Sequence, residues 1–118
     1  MIEKIYADYA WEQTAALLAI DSPSGFTTKA AQWVRDEFAA LGFDAKLTTK
    51  GGVLVDLGGT DENDGLMLAA HADTLGGMVA QIKGNGRLRI TPLGGMSANN
   101  GEAENVWVYT RGGKVIDG

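Results

Sequence analysis

Leu66-Met67-Leu68-Ala69-Ala70-His71-Ala72-Asp73-Thr74 is the stretch on which the reading of the whole chain turns. Its first five residues are continuously apolar, the pattern of a strand covered on both faces inside an α/β sheet. The run turns polar at His71, the only histidine in the sequence. Reactive groups in open α/β sheets collect beyond the carboxyl ends of strands, where a loop leaves the rigid framework. A two-residue period places His71 and Asp73 on the same side. An imidazole there can bind a metal through one nitrogen while a carboxylate accepts the N–H of the other, fixing the tautomer and raising its basicity. A histidine at a strand end is more often a hydrogen-bonded structural residue, so the triplet alone does not decide for a metal.

On the N-terminal side, Ile5, Tyr6, Tyr9, Ala16, Leu17 and Ile20 recur at loosely helical spacing and predict an amphipathic helix from about Lys4 to Ile20. Asp21-Ser22-Pro23-Ser24-Gly25-Phe26 breaks it, because Pro23 restrains its predecessor and Gly25 permits unusual backbone angles. A second helix is expected from Thr27 or Thr28, with a threonine hydroxyl as cap, Ala31, Val34, Phe38 and Leu41 on one face, and Gly42 as its stop. Phe43, Ala45 and Leu47 then alternate with polar residues as a half-buried strand. Val53 to Leu57 reads as its hairpin partner across Lys50-Gly51-Gly52. Thr60-Asp61-Glu62-Asn63-Asp64-Gly65 lacks calcium-loop spacing and reads as a solvated turn.

Beyond Asp73 the composition changes: no long helical pattern, many glycines and short apolar segments, as if a second unit began there. Met78 to Ile82 and Leu88 to Thr91 suggest one hairpin about Gly84-Asn85-Gly86, followed by a loop from Gly94 to Gly101. Val106 to Tyr109 and Lys114 to Ile116 suggest another about Arg111-Gly112-Gly113. Arg87 and Arg89 fall on one strand face with Lys83 across the turn, a cluster that could attract an anion but reads as solvated outer surface. Ser22, Ser24 and Ser97 read as turn residues, since no Gly-x-Ser-x-Gly elbow accompanies them. Neither Gly84-Asn85-Gly86 nor Gly94-Gly95 precedes a helix that could cradle a phosphate.

The 118 residues suit one ordinary domain. Apolar content of 45% and charged content of 21% argue against disorder. Ten basic against fifteen acidic side chains, a net charge of -5, disfavours a nucleic-acid partner, and no apolar run is long enough to span a bilayer. The absence of cysteine excludes disulfides, thiolate ligands and thiol catalysis, so any metal must use His, Asp or Glu. Without a signal-peptide pattern at the start, the expected location is cytoplasmic. Seventeen glycines, about twice the average usage of ~7%, call for many tight turns.

Ser22-Pro23-Ser24-Gly25-Phe26, Ala70-His71-Ala72-Asp73-Thr74-Leu75-Gly76-Gly77-Met78-Val79 and Gly112-Gly113-Lys114-Val115-Ile116-Asp117-Gly118 follow one another in an order that resembles the dinuclear-metal aminopeptidases. The family meant is that of the tetrahedral and glutamyl aminopeptidases, which includes FrvX-like proteins and some members named endoglucanases. The likeness runs through essentially the whole chain and corresponds to roughly the first third of a family member. It implies an α/β fold in which residues 1–74 are the N-terminal part of a zinc-exopeptidase-like catalytic domain and residues 75–118 begin a β-rich inserted domain used for assembly into a homo-oligomer. It implies His71 as the first zinc or cobalt ligand and Asp73 as the catalytic aspartate supporting that ligand. The sequence departs from the family at Thr27 and Thr74, where glutamate is usual, at Gly77, where phenylalanine is common, and at Gly52, where asparagine is frequent.

A catalytic metal takes about three protein ligands, and a dinuclear site adds a bridging carboxylate. The resemblance places the remaining ligands and the general-base glutamate after Gly118. The chain is therefore expected to be the N-terminal portion of a metal-dependent aminopeptidase that removes N-terminal residues from peptides with two divalent ions, and to be inactive alone. The competing expectation is a noncatalytic binding or assembly module on the same framework.

Overall fold

Two helices and six strands form among residues 3–61 and 63–118, the part of the chain that the computed structural model describes. Glu62 of the polar turn lies outside it. The chain divides into two compact units, the first ending at Thr74 and the second spanning Leu75–Gly118.

In the first unit, α1 (Lys4–Leu18) forms without interruption, but its apolar residues do not gather on one buried face. Ile5, Tyr6, Trp11 and Leu18 are exposed, and only Gln13 and Leu17 are half-buried. Ile5, Tyr6, Tyr9, Ala16, Leu17 and Ile20 do share one stripe of about 120° at the helical period, but Trp11 and Leu18 lie on the opposite side of the cylinder and dilute the amphipathic pattern. α2 (Thr28–Ala40) follows the more regular pattern and buries Ala30 and Ala31. Thr27 does occupy the capping position, yet it makes no side-chain cap hydrogen bond. Its backbone, at φ -97° and ψ 0°, departs from the extended conformation that turns a hydroxyl toward the helix's free N–H groups.

The end of α2 is sharply determined. Gly42, at φ +90°, donates its N–H to Ala39 O at 2.9 Å, and Phe43 N donates to Phe38 O at 3.1 Å. These are the two bonds of a Schellman motif, and they satisfy carbonyls that the helix end would leave bare. The Phe38 and Phe43 rings meet edge-on, 6.3 Å apart, as the apolar contact that accompanies the motif. The chain is thereby aimed directly into β1 (Asp44–Leu47), which pairs antiparallel with β2 (Val53–Asp56), Ala45 opposite Val55. Thr48 closes the hairpin by accepting the Gly51 N–H and donating its own to Gly52 O. α2 packs on both strands.

The expected doubly covered strand does not form. Leu66 to Ala70 belong to no ladder, and Leu66, Met67 and Leu68 are 87%, 84% and 77% exposed. A buried strand needs neighbours on both edges and both faces. Among the described residues the pairing comes only beyond it, as an isolated parallel bridge between Pro23 and Thr74.

In the second unit, β3 (Gly76–Ile82) and β4 (Leu88–Leu93) form the first expected hairpin, with a bulge between Val79 and Gln81 that shifts the register. Gly77 lies so close to β4 that a Cβ there would come within 2.3 Å of Ile90 Cγ2, which accounts locally for glycine at this position. The following loop contains a 3-10 turn, Ala98–Gly101. β5 (Trp107–Tyr109) pairs antiparallel with β6 (Val115–Asp117) as the second hairpin. Each described sheet has two strands. No described helix is long and apolar enough to cross a membrane.

Candidate functional site

Ser22 is 1% exposed, the most deeply buried polar side chain among the described residues. Its hydroxyl donates to Ala72 O at 2.7 Å, and its backbone carbonyl accepts the Thr74 N–H at 2.9 Å. Around this bridge the Ser22-Pro23-Ser24 turn and the Ala72-Asp73-Thr74 segment lie side by side. The turn itself is held by Phe26 N donating to Pro23 O at 2.7 Å, with Gly25 at φ +87°. A proline that fixes one backbone angle and a glycine that accepts a positive one let the chain double back tightly there.

The bridge presents Asp73 between two donors. Ser24 Oγ donates to Asp73 Oδ2 at 2.5 Å, and His71 Nδ1 lies 2.9 Å from Asp73 Oδ1 and 3.1 Å from the Asp73 backbone oxygen. The Ser24 hydroxyl and then the His71 ring hold the Asp73 carboxyl below the usual carboxylate range, against a smaller opposing effect of desolvation. An ionised carboxylate and a carbonyl can only accept hydrogen bonds. The network therefore assigns the imidazole proton to Nδ1, which leaves Nε2 with the lone pair of the neutral ring.

The His71 side chain is 84% exposed and that of Asp73 is 42% exposed. Such a ring, fixed at one nitrogen and open at the other, fits a single metal ligand. No group of three or more His, Asp or Glu side chains converges to hold a metal among the described residues.

The two residues singled out from the sequence, His71 and Asp73, are brought together side chain to side chain. Ser22 and Ser24, read from the sequence only as turn residues, are what hold that pair in place. The available signal was their motif: two hydroxyls flanking a proline in Ser22-Pro23-Ser24-Gly25-Phe26. Ser97 precedes the 3-10 turn and makes no side-chain cap bond. Asp61 accepts the Asn63 N–H at 2.9 Å, as in an ordinary polar turn. Arg87 and Arg89 remain exposed on their hairpin.

A family model described as M42 glutamyl aminopeptidase matches residues 51–118, a span that contains both His71 and Asp73. The chain is 36% identical over 102 residues to a Bacillus subtilis (strain 168) protein bearing the name aminopeptidase YhfE, covering 86% of this chain and 30% of that protein. It is 32% identical over 107 residues to the glutamyl aminopeptidase of Lactococcus lactis subsp. cremoris (strain MG1363), covering 90% of this chain and 30% of that enzyme. The chain thus spans about 30% of the length of these curated relatives.

Proposed function

The chain belongs to the M42 glutamyl aminopeptidase family, and on that premise we propose that its residues serve a metal-dependent aminopeptidase that removes N-terminal residues from peptides. The observation that carries this reading is the 2.9 Å contact between His71 Nδ1 and Asp73 Oδ1, with the rest of the ring open to solvent. In this role His71 offers Nε2 as a ligand. Asp73 holds the ring in the tautomer that makes Nε2 available and increases its basicity. Residues 1–74 then contribute the first part of a catalytic domain, and residues 75–118 the start of a β-rich insertion. A pair of divalent ions, zinc or cobalt, supplies such a site with a Lewis acid for the scissile carbonyl and with activated water. The described residues provide one of the ligands, so further ligands and a proton-transferring group belong to other chain.

The test uses the longest protein produced from the encoding reading frame. His71→Ala is expected to remove one metal and nearly all hydrolysis of amino-acid p-nitroanilides. Asp73→Asn should retain the fold and weaken metal affinity or activity on the order of 10- to 100-fold. The double variant should add little to His71→Ala, because Asp73 then has no ligand to orient. If both single variants stay folded, fully metallated and active, His71 is a structural histidine. Absence of both metal and hydrolysis in the unaltered protein would instead identify a noncatalytic binding or assembly module.

A further inference from the structure

We infer that Ser24 is a positioning residue for the candidate ligand: its hydroxyl holds Oδ2 of Asp73 so that Oδ1 faces His71 Nδ1. The inference rests on the proposed ligand role of His71 and adds to it the group that sets the ring's tautomer.

The geometry separates Ser24 from the other hydroxyl of the same turn. Ser22 bonds to a backbone carbonyl, Ala72 O, and so fixes where the segment runs. Ser24 reaches 49 positions along the sequence to a carboxylate oxygen, at 2.5 Å, and so fixes how that carboxylate is turned. Each carboxylate oxygen of Asp73 has its own side-chain donor, Ser24 on Oδ2 and His71 on Oδ1. Released from Ser24, the carboxylate can rotate about its broad terminal torsion, and either oxygen or neither can face the ring. Among the described residues the 84% exposed imidazole is held by hydrogen bonds to that carboxylate and to the Asp73 backbone oxygen, so without the carboxylate its tautomer would rest on the longer 3.1 Å contact and move toward its intrinsic preference in water. A neutral ring protonated at Nε2 has lost the lone pair there and cannot ligate through that atom. Charge-assisted bonds of this kind are stronger than neutral ones, which gives the serine leverage over a mobile ring.

The arrangement is not a nucleophile triad. In such triads the hydroxyl faces the imidazole nitrogen remote from the carboxylate, where the base can take its proton. Here the hydroxyl donates to the carboxylate itself, on the oxygen that does not face the ring.

Because His71 is the only histidine of the chain, long-range proton–nitrogen correlation spectra of the uniformly 15N-labelled 118-residue chain contain a single imidazole pattern. Spectra are recorded without metal, at a pH where the ring is neutral. The unaltered chain is expected to show predominantly the Nδ1–H tautomer. Ser24→Ala should lower the ratio of Nδ1–H to Nε2–H several-fold, and Ser24→Thr, which keeps the hydroxyl, should restore it. Ser22→Ala serves as the control that loosens the turn and leaves the Ser24 hydroxyl in place, and its shift should be the smaller one. If the amide spectrum shows that Ser24→Ala unfolds the chain, Ser24→Cys gives the same comparison with a much weaker donor.

An unchanged ratio in the folded alanine or cysteine variant overturns the inference, as does a threonine variant that fails to restore the ratio, or an equal shift in Ser22→Ala. The readout needs no metal and no turnover. A metal-free or inactive parent protein would therefore overturn the ligand assignment and leave the role of Ser24 toward the ring standing or falling on the spectra alone.

Discussion

Replacing Ser22 with alanine removes a single oxygen from the most buried polar position of the first unit, and the expected cost can be worked from the contacts it makes. The change in apolar packing is negligible, because a methyl group replaces a hydroxymethyl at a site that is 1% exposed. What is lost is the 2.7 Å bond to Ala72 O, whose residue is itself only half-exposed. Leaving a part-buried acceptor without its partner costs up to about 1–3 kcal/mol. The neighbouring bond from Thr74 N to Ser22 O is backbone to backbone and survives the substitution, so the bridge should open more often without being abolished. Amide hydrogen exchange at Thr74 reads this opening directly. A cost of this size corresponds to a loss of protection of roughly 5- to 140-fold, at a decade per ~1.4 kcal/mol. Amides of the β3–β4 hairpin serve as the internal reference. If Thr74 exchanges at the same rate in the variant and the unaltered chain, the Ser22 hydroxyl contributes nothing to holding the two segments together and the account of the bridge is wrong.

Gly42→Ala should destabilise the first unit by about 1–2 kcal/mol in urea unfolding, because nothing lies within 4 Å of the new Cβ and the whole cost is that of an L-residue at φ +90°. An unchanged unfolding midpoint would show that the Schellman turn is not what fixes the helix end. Carboxyl 13C titration of the metal-free chain should place Asp73 below the ordinary aspartate range, and Ser24→Ala should move it upward, since the Ser24 hydroxyl is the largest cause of the depression. A folded-state value below the unfolded one means that this interaction's contribution to stability is full above the unfolded value of about 3.9 and is lost as pH falls through the folded value. An Asp73 inflection at the ordinary position would contradict the two-donor geometry.

What the sequence made legible follows from how far each determinant lies from its effect. The end of α2 and the three hairpins depend on residues a few positions apart, and Gly42, Gly51, Gly86 and Gly113, all at positive φ, mark the places where the backbone turns. His71 and Asp73 are also near neighbours, and any extended backbone brings side chains two positions apart to one side, so the pair lies within reach although the preceding residues make no ladder, while its alignment rests on Ser24. The roles of Ser22 and Ser24 were hidden because both partners lie about fifty positions away, whereas the local chemistry of Ser-Pro-Ser-Gly is fully accounted for by a turn. Leu66 to Ala70 fail for a related reason. An apolar run states what a segment would bury against, and says nothing of whether the neighbours are at hand. In α1 the stripe from Ile5 to Ile20 leaves out Trp11 and Leu18, which lie across the cylinder, and the helix buries no residue.

The contact between Ser22 and Ala72 closes a loop of 50 residues, and that loop contains α2 and the β1–β2 hairpin. Bringing the ends of a flexible loop of that length together costs about 3.5 kcal/mol in chain entropy by the logarithmic rule. The two bonds of Ser22 at the bridge contribute a net ~0.5–1.5 kcal/mol each, so on an unstructured chain they fall short of the closure cost. They become favourable once the helix and hairpin have formed and shortened the stretch of chain left to order. The order of assembly is therefore built in: local elements first, then the meeting of the two distant segments, and only then the alignment of the His71 ring. A ring held at Nδ1 is in this sense a late marker of folding, and a chain whose α2 or first hairpin is damaged should lose it before it loses its remaining secondary structure.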